Sequence, residues 1–446
     1  MITTNNALEA IQEFAHPLTG NRRDFDRLLR HAGNCSFVLL GEASHGTHEF
    51  YRTRAEISKR LITEYNFNLL CWEADWPDAL RVNRYIRGRG EDESAEEALR
   101  GFKRFPSWMW RNEDILELVD WLRSHNNSLA EGIAPVSVHG LDLYSLHSSM
   151  NAVIAYLDKT DPEAAAEARK RYSCFEDFGQ DPQAYGLVAG LQQMGNCEKE
   201  VVQQLLDMQR RVAQSFQPDD RAGADELFYA EQNARVAANA EHYYRAMYRG
   251  RPNTWNLRDT HMANTLDDLF AHVEKHGEKP KAIVWAHNSH LGDARATQMS
   301  ERGELNLGQL IRERHDGDCW NVGFSTYTGA VMAADDWDGP AKIKRVRPGL
   351  PNSFENLFHQ TGLNNFLLNI RPNAELARGL DEPMLERAIG VIYRPDTERY
   401  SHYFEAHLAR QFDSIIHFDE TRALTALERV SEIEPEELPE TYPSGV

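Results

Sequence analysis

Hydrophobic runs long enough to cross a membrane are missing from this 446-residue chain; no stretch approaches the roughly 20 apolar residues that a span needs. Basic charge is also scarce. Lysine and arginine number 49 against 69 aspartates and glutamates, a balance of -20 that disfavours nucleic acid and anionic membrane surfaces as partners. Cysteine is sparse, at 35, 71, 174, 197 and 319, with no CxxC pair for a zinc knuckle or redox site, so a reducing, cytoplasmic setting is expected. The first twenty residues lack a basic, then apolar, export signal. Catalytic signatures are missing too: there is no GxSxG elbow, P-loop, GxGxxG, HExxH or EF-hand loop.

Short, almost wholly apolar runs are what the chain does have. "SFVLLGE", "FNLLCWEAD", "VSVHGLDL", "KAIVWAHNSH", "CWNVGFSTY", "AIGVIYR" and "DSIIHFDE" have the character of interior strands. Helical patterns separate many of them, as where Phe50, Ile57 and Leu61 recur at helical spacing. The predicted fold is α/β, a mostly parallel sheet with helices on both faces. Between residues 148 and 258 strand-like runs give way to amphipathic helices, one marked by Val201, Leu205, Met208 and Val212, another by Tyr229, Asn233, Val236, Ala240, Tyr243 and Met247. Gly250 and Pro252 supply stop signals for the second. The expected organisation is a discontinuous α/β domain (1–147 and 259–430), a helical insertion (148–258) and an acidic, poorly ordered tail (431–446).

Acids and imidazoles gather at the carboxyl ends of the predicted strands. Glu42 ends the first, with His45 and His48 just beyond it; Glu73 and Asp75 end the second, His139 and Asp142 the third, and His287 and His290 the fourth. An open parallel sheet presents those ends along one edge, where such folds bind ligands. Any one of these residues alone is as readily a helix cap or a satisfied core group. Gly41 and Gly46 are read as allowing a tight turn at the strand exit. Ser44 is read as a loop or cap residue. Arg54 falls on the sheet-facing side of the following helix; buried, it requires a carboxylate, with Glu42 and Glu73 the nearest by topology. Shifted by one position, it would instead snorkel to water.

Histidines and glutamates without a side-chain nucleophile point to activated water. A histidine oriented by a glutamate takes a proton from water near neutral pH, and an arginine or second imidazole stabilises the oxyanion. The competing use of the same atoms is a divalent metal, zinc or manganese, at His287, His290, Glu42 and Glu73. Trp108 and Trp110 in "PSWMW" offer either an aromatic wall for an apolar ring or plain core packing.

"LLGEASHGTHEFYRTRAEISKRLI", "CWEADWPDALRVNRYI", "RDTHMANTL", "AHNSHLGDAR" and "SHYFEA" followed by "FDSIIHFDET" resemble the erythromycin esterase family, which includes relatives assigned to succinoglycan biosynthesis. The resemblance runs from about residue 20 to about residue 425. It implies an α/β domain with a helical portion, a deep cleft, and hydrolysis of a macrolide lactone by water. It maps the family's general base to His45, its supporting acids to Glu42 and Glu73, its arginine to Arg54 and its later histidine pair to His287 and His290. Arg258, with Asp259, matches an element of unassigned role; Arg258 is counted with His48, His139, Asp142, Trp108 and Trp110 as substrate-binding. The expected partner is a small-molecule ester or lactone, with no cofactor required. A haem- or metal-binding protein of related fold is the alternative from another class, and hydrolysis of a phosphate or glycosyl bond is a third reading, disfavoured by the acidic balance for a highly anionic substrate.

Overall fold

In the computed structural model, alternate residues of the short strand Phe37–Leu40 face opposite sides of a sheet, and both sides are covered. Val38 and Leu40 pack with Phe50, Ile57 and Leu61 of the helix His48–Tyr65, whereas Phe37 and Leu39 pack with Met262, Leu266 and Leu269 of the helix Asn253–Lys275. A period of two along a strand makes this division, and burial on both faces explains why these strands are continuously apolar. The structure describes residues 2–178, 182–190, 196–214, 221–248, 253–315 and 317–427.

In chain order the strands are β1 (His16–Pro17), β2 (Phe37–Leu40), β3 (Leu69–Asp75), β4 (Ser137–Asp142), β5 (Ala282–Trp285), β6 (Cys319–Ala333), β7 (Lys342–Val346), β8 (Asn365–Asn369), β9 (Met384–Arg387), β10 (Tyr403–Ala406) and β11 (Ser414–Thr421). The main sheet runs β1-β8-β11-β6-β2-β5-β3-β4, with β7 paired to β6; β9 and β10 form a separate antiparallel pair. From β11 across to β4 every neighbouring pair is parallel, so β2, β3, β4 and β5 end along one edge. The expected α/β fold with a mostly parallel sheet is the observed one.

Between β4 and β5 the described elements are helical. They include Leu146–Thr160, Pro162–Tyr172, Glu198–Gln214 and Arg221–Met247, which bury Val153, Leu157, Val201, Met208 and Ala237 in a cluster of their own. Gly250, Pro252 and the acidic tail at 431–446 lie outside the described residues. The cysteine pattern gave no sign of a disulfide, yet Cys174 and Cys197 form one, with Cα atoms 5.9 Å apart. Helix packing brings the two together; the Cys197 backbone N–H donates to the Tyr185 hydroxyl at 2.9 Å. Cys35, Cys71 and Cys319 are buried thiols. No described helix is long and apolar enough to cross a membrane.

One predicted strand is not a strand. "AIGVIYR" makes only single bridges, Ile389 to Ser44 and Ile392 to Ala334, and passes beside the sheet instead of joining it. Its apolar side chains had the composition of a strand, but isolated backbone bonds such as Ile389 N–H to the Ala43 carbonyl hold it in place.

Two buried ionisable groups make testable contributions. Arg54 is fully buried on the helix His48–Tyr65; its Nη2 donates to Glu42 Oε2 at 2.7 Å, and its guanidinium lies 4.3 Å from the Tyr51 ring centre and 4.6 Å from that of Trp285. Removing one partner of a buried ion pair strands the other, at about 3–5 kcal/mol. Arg54→Met is therefore expected to lower the unfolding free energy by about that amount in urea titrations, while Arg54→Met with Glu42→Gln loses less. On β9, Glu386 is buried beside Glu355; burial, then the Glu355 charge, raises its carboxyl from 4.5 to about 8. The native state thus keeps a proton that the unfolded chain releases across this window, so stability falls as pH rises from about 4.5 to about 8. Glu386→Gln is expected to flatten that fall, measured as melting temperature at pH 6 and pH 9.

Candidate active site

At the common edge of β2, β3, β4 and β5 the chain folds around a cavity of about 380 Å³. His45, Glu73, Asp142, Arg258, His287 and His290 line it, so segments more than two hundred residues apart in sequence meet there. Trp110 contributes to an apolar wall with Phe102, Phe105 and Met109.

Glu42, the first residue beyond Gly41 at the end of β2, lies beneath the cavity and does not line it. Its carboxylate is buried and divided between two partners: Oε2 accepts from Arg54, and Oε1 is 3.0 Å from His45 Nδ1. A carboxylate only accepts, so the proton on His45 is held at Nδ1 and the lone pair at Nε2. Nε2 makes no hydrogen bond to any described residue. The glycines matter here for close approach and not for an unusual turn: neither Gly41 nor Gly46 has positive φ, but a Cβ on Gly41 would collide with Asn288 Oδ1 and one on Gly46 with the Met332 carbonyl. Ser44 is buried, its hydroxyl paired with that of Thr47.

On the opposite wall Glu73 organises the cations. Its Oε2 accepts the His287 backbone N–H at 2.8 Å, and its Oε1 accepts from Arg258 Nη2 at 2.7 Å and lies 3.3 Å from His290 Nε2. Arg258 also grips Asp142, through Nε at 3.0 Å and Nη2 at 2.7 Å. Burial opposes ionisation of both acids, but His290 and Arg258 hold Glu73 well below the usual carboxylate range, and Arg258 holds Asp142 down. Three imidazoles are thereby differentiated. Burial, reinforced by the neighbouring His45, drives His287 well below the usual value and leaves it neutral; its Nδ1 accepts the Ser289 N–H at 3.2 Å, capping the short helix Asn288–Leu291. His290 is the reverse. Burial alone would lower it, but Asp259 and Glu73 prevail and raise it to about 9.

Three residues expected at the site are elsewhere. His48 is directed away by the start of its helix and binds Asp114 Oδ2 at 2.8 Å, a hydrogen bond that raises its pKa. His139 lies inside β4, three residues short of the edge, stacked on Trp76 and bonded to the Ser137 hydroxyl at 2.9 Å; burial lowers it to about 3. Trp108 is core, whereas Trp110, stacked on Trp72 at 5.0 Å, reaches the cavity. Sequence reasoning missed Tyr144, Trp255, Trp337 and the passage Gly390–Ile392, all on the cavity wall. These are apolar residues in loops and helices with no motif to mark them; only the RD dipeptide at 258–259 carried a signal.

The four residues considered for a metal do not form one ligand set. Both oxygens of Glu42 are committed to Arg54 and His45, and both nitrogens of His290 are engaged, Nδ1 by Asp259 and Nε2 by Arg258 and Glu73. No group of three or more His, Cys, Asp or Glu side chains among the described residues is arranged to hold an ion.

Comparison with known proteins gives the family and the fold. The family described as erythromycin esterase matches residues 62–421. Erythromycin esterase type II of Escherichia coli is 22% identical over 426 residues, covering 91% of this chain and 94% of its own. A crystal structure of a succinoglycan biosynthesis protein superposes with a TM-score of 0.74 at 22% identity, covering 95% of this chain and 99% of that one. A histidine-to-asparagine mutant of the erythromycin esterase EreC in its open conformation gives 0.64 at 17% identity, covering 90% and 94%. With more than half of its length matched, the chain belongs to the erythromycin esterase family.

Proposed function

We propose that this protein is a hydrolase that opens a neutral small-molecule ester or lactone with water activated by His45. The observation that carries the reading is the Arg54–Glu42–His45 series: a buried ion pair fixes the carboxylate, the carboxylate fixes the imidazole, and Nε2 is left for the cavity. Water bound at Nε2 attacks the carbonyl carbon and its proton passes to Nε2. The oxyanion is stabilised by the positive groups Arg258 and His290. Collapse expels the alcohol oxygen, which receives the proton from His45, so the products are a carboxylic acid and an alcohol.

Charge and shape support a neutral substrate. Glu73, Asp142 and Asp259 face Arg258 and His290, an acidic excess that repels phosphate esters and other polyanions. The aromatic wall suits an apolar acyl or alcohol portion, and the cavity volume falls within the roughly 300–1,000 Å³ common for small-molecule sites. A macrolide lactone enters as one candidate through the name of the Escherichia coli relative.

Purified protein is expected to turn over at least one member of a panel of neutral carboxylic esters and macrolide lactones, with no turnover of phosphate esters. His45→Ala is expected to lower kcat/KM by about 10²- to 10⁴-fold without a matching loss of melting temperature. Absence of turnover across the panel, or a His45→Ala variant as fast as the parent, contradicts the reading.

A further inference from the structure

The passage "AIGVIYR" borders the cavity as a strap, and backbone hydrogen bonds fix it on either side of one glycine. Before Gly390, the Ile389 N–H donates to the Ala43 carbonyl at 2.8 Å, and the Ile389 carbonyl accepts the His45 N–H at 3.3 Å. After it, the Val391 carbonyl accepts the Ala334 N–H at 2.9 Å, and the Tyr393 N–H donates to the Ala334 carbonyl at 3.1 Å. Ile389 and Tyr393 send their side chains into a buried cluster with Val331, Ala333 and Val346, so that side of the strap is filled. Successive side chains of an extended run alternate, so a substituent at 390 points away from the cluster and toward the cavity, which Gly390, Val391 and Ile392 line. Gly390 thus stands one residue beyond the carbonyl that holds the His45 backbone.

Neither backbone conformation nor packing requires glycine there. Its φ is outside the left-handed region, and a Cβ built on it would meet no atom within 4 Å. Gly41 and Gly46 are the reverse case, since protein atoms fill the space their Cβ atoms would need. At Gly390 the missing side chain leaves room on the cavity wall, and the strap, tied at both flanks, is not free to withdraw and hide a larger residue. An unneeded glycine lowers stability through the freedom it gives the unfolded chain.

We propose that Gly390 is a specificity-determining residue: the room it leaves beside the His45 loop takes a bulky neutral group of the substrate, a ring or a branched chain, and its lack of a side chain sets the size limit for that group. The role in ester hydrolysis rests on the hydrolase reading; the size limit does not. Phe102, Phe105, Met109 and Trp110 give the cavity an apolar lining, which favours such a group in proportion to the apolar area it buries.

Neutral lactams separate size recognition from catalysis, because they bind as amides and need not react. Calorimetric titration of the full chain is expected to show binding of laurolactam, a large ring, and of ε-caprolactam, a small one. Gly390→Val is expected to raise the Kd of laurolactam by about 10- to 200-fold, as an added methylene does in a filled apolar pocket, and that of ε-caprolactam several-fold less. Gly390→Ala gives the same order with a smaller change, and it melts no lower than the parent because it restricts the unfolded chain without strain. Equal changes for the two lactams in a folded variant, or none, overturn the proposal, as does a parent that does not bind laurolactam. A Gly390→Ala variant that melts well below the parent overturns it too, since the glycine would then serve packing. Size-selective lactam binding by a protein that turns over no ester instead removes the hydrolase reading alone.

Discussion

A single buried carboxylate, Glu42, sets the geometry on which the site depends. Desolvating an ionised acid costs several kcal/mol unless its oxygens are matched, and here one oxygen goes to a guanidinium and the other to an imidazole. Arg54 is itself fixed between Tyr51 and Trp285, so the helix after β2, the core of the sheet and the loop that carries His45 are coupled through one ion pair. Gly41 and Gly46 flank this loop, and the space a Cβ would need at each is filled by Asn288 Oδ1 and the Met332 carbonyl, so the backbone that carries Glu42 and His45 packs closely on its neighbours.

Environment, not residue type, then assigns the roles of the histidines. His45 has a carboxylate at one nitrogen and open space at the other. His287 is held neutral by burial and used partly as a helix cap, and the pKa of His290 is raised by Asp259 and Glu73. His48 and His139 serve packing and helix contacts away from the cavity. Such divergence within a few ångströms is what allows one site to contain both a proton acceptor and a fixed cation near neutral pH.

Much of this was legible in the sequence because parallel sheets impose a simple rule: polar residues at the ends of apolar strands share an edge. Glu42, Glu73, Asp142, His287 and His290 followed that rule, and Arg54, placed on a buried helical face, needed an acid and found Glu42. His139 shows the limit of the rule, since a three-residue offset within β4 moves a side chain below the edge. Of the apolar wall only Trp110 was marked beforehand, because Phe105, Trp255, Trp337 and Ile392 come from four unrelated segments whose meeting is decided by tertiary packing. "AIGVIYR" failed for a related reason: composition gives β-propensity, but pairing needs a neighbouring strand with free backbone groups. The disulfide likewise joins cysteines that only helix packing brings near.

The central claim is that Glu42 acts on the reaction through His45 and by no other route. A double-mutant cycle on kcat with Glu42→Gln, His45→Ala and the combined variant measures this directly. Groups that work as one unit give a double variant no slower than the worse single one, and that is the result predicted here. Losses that multiply would mean that the acid and the imidazole contribute separately, and would contradict the account.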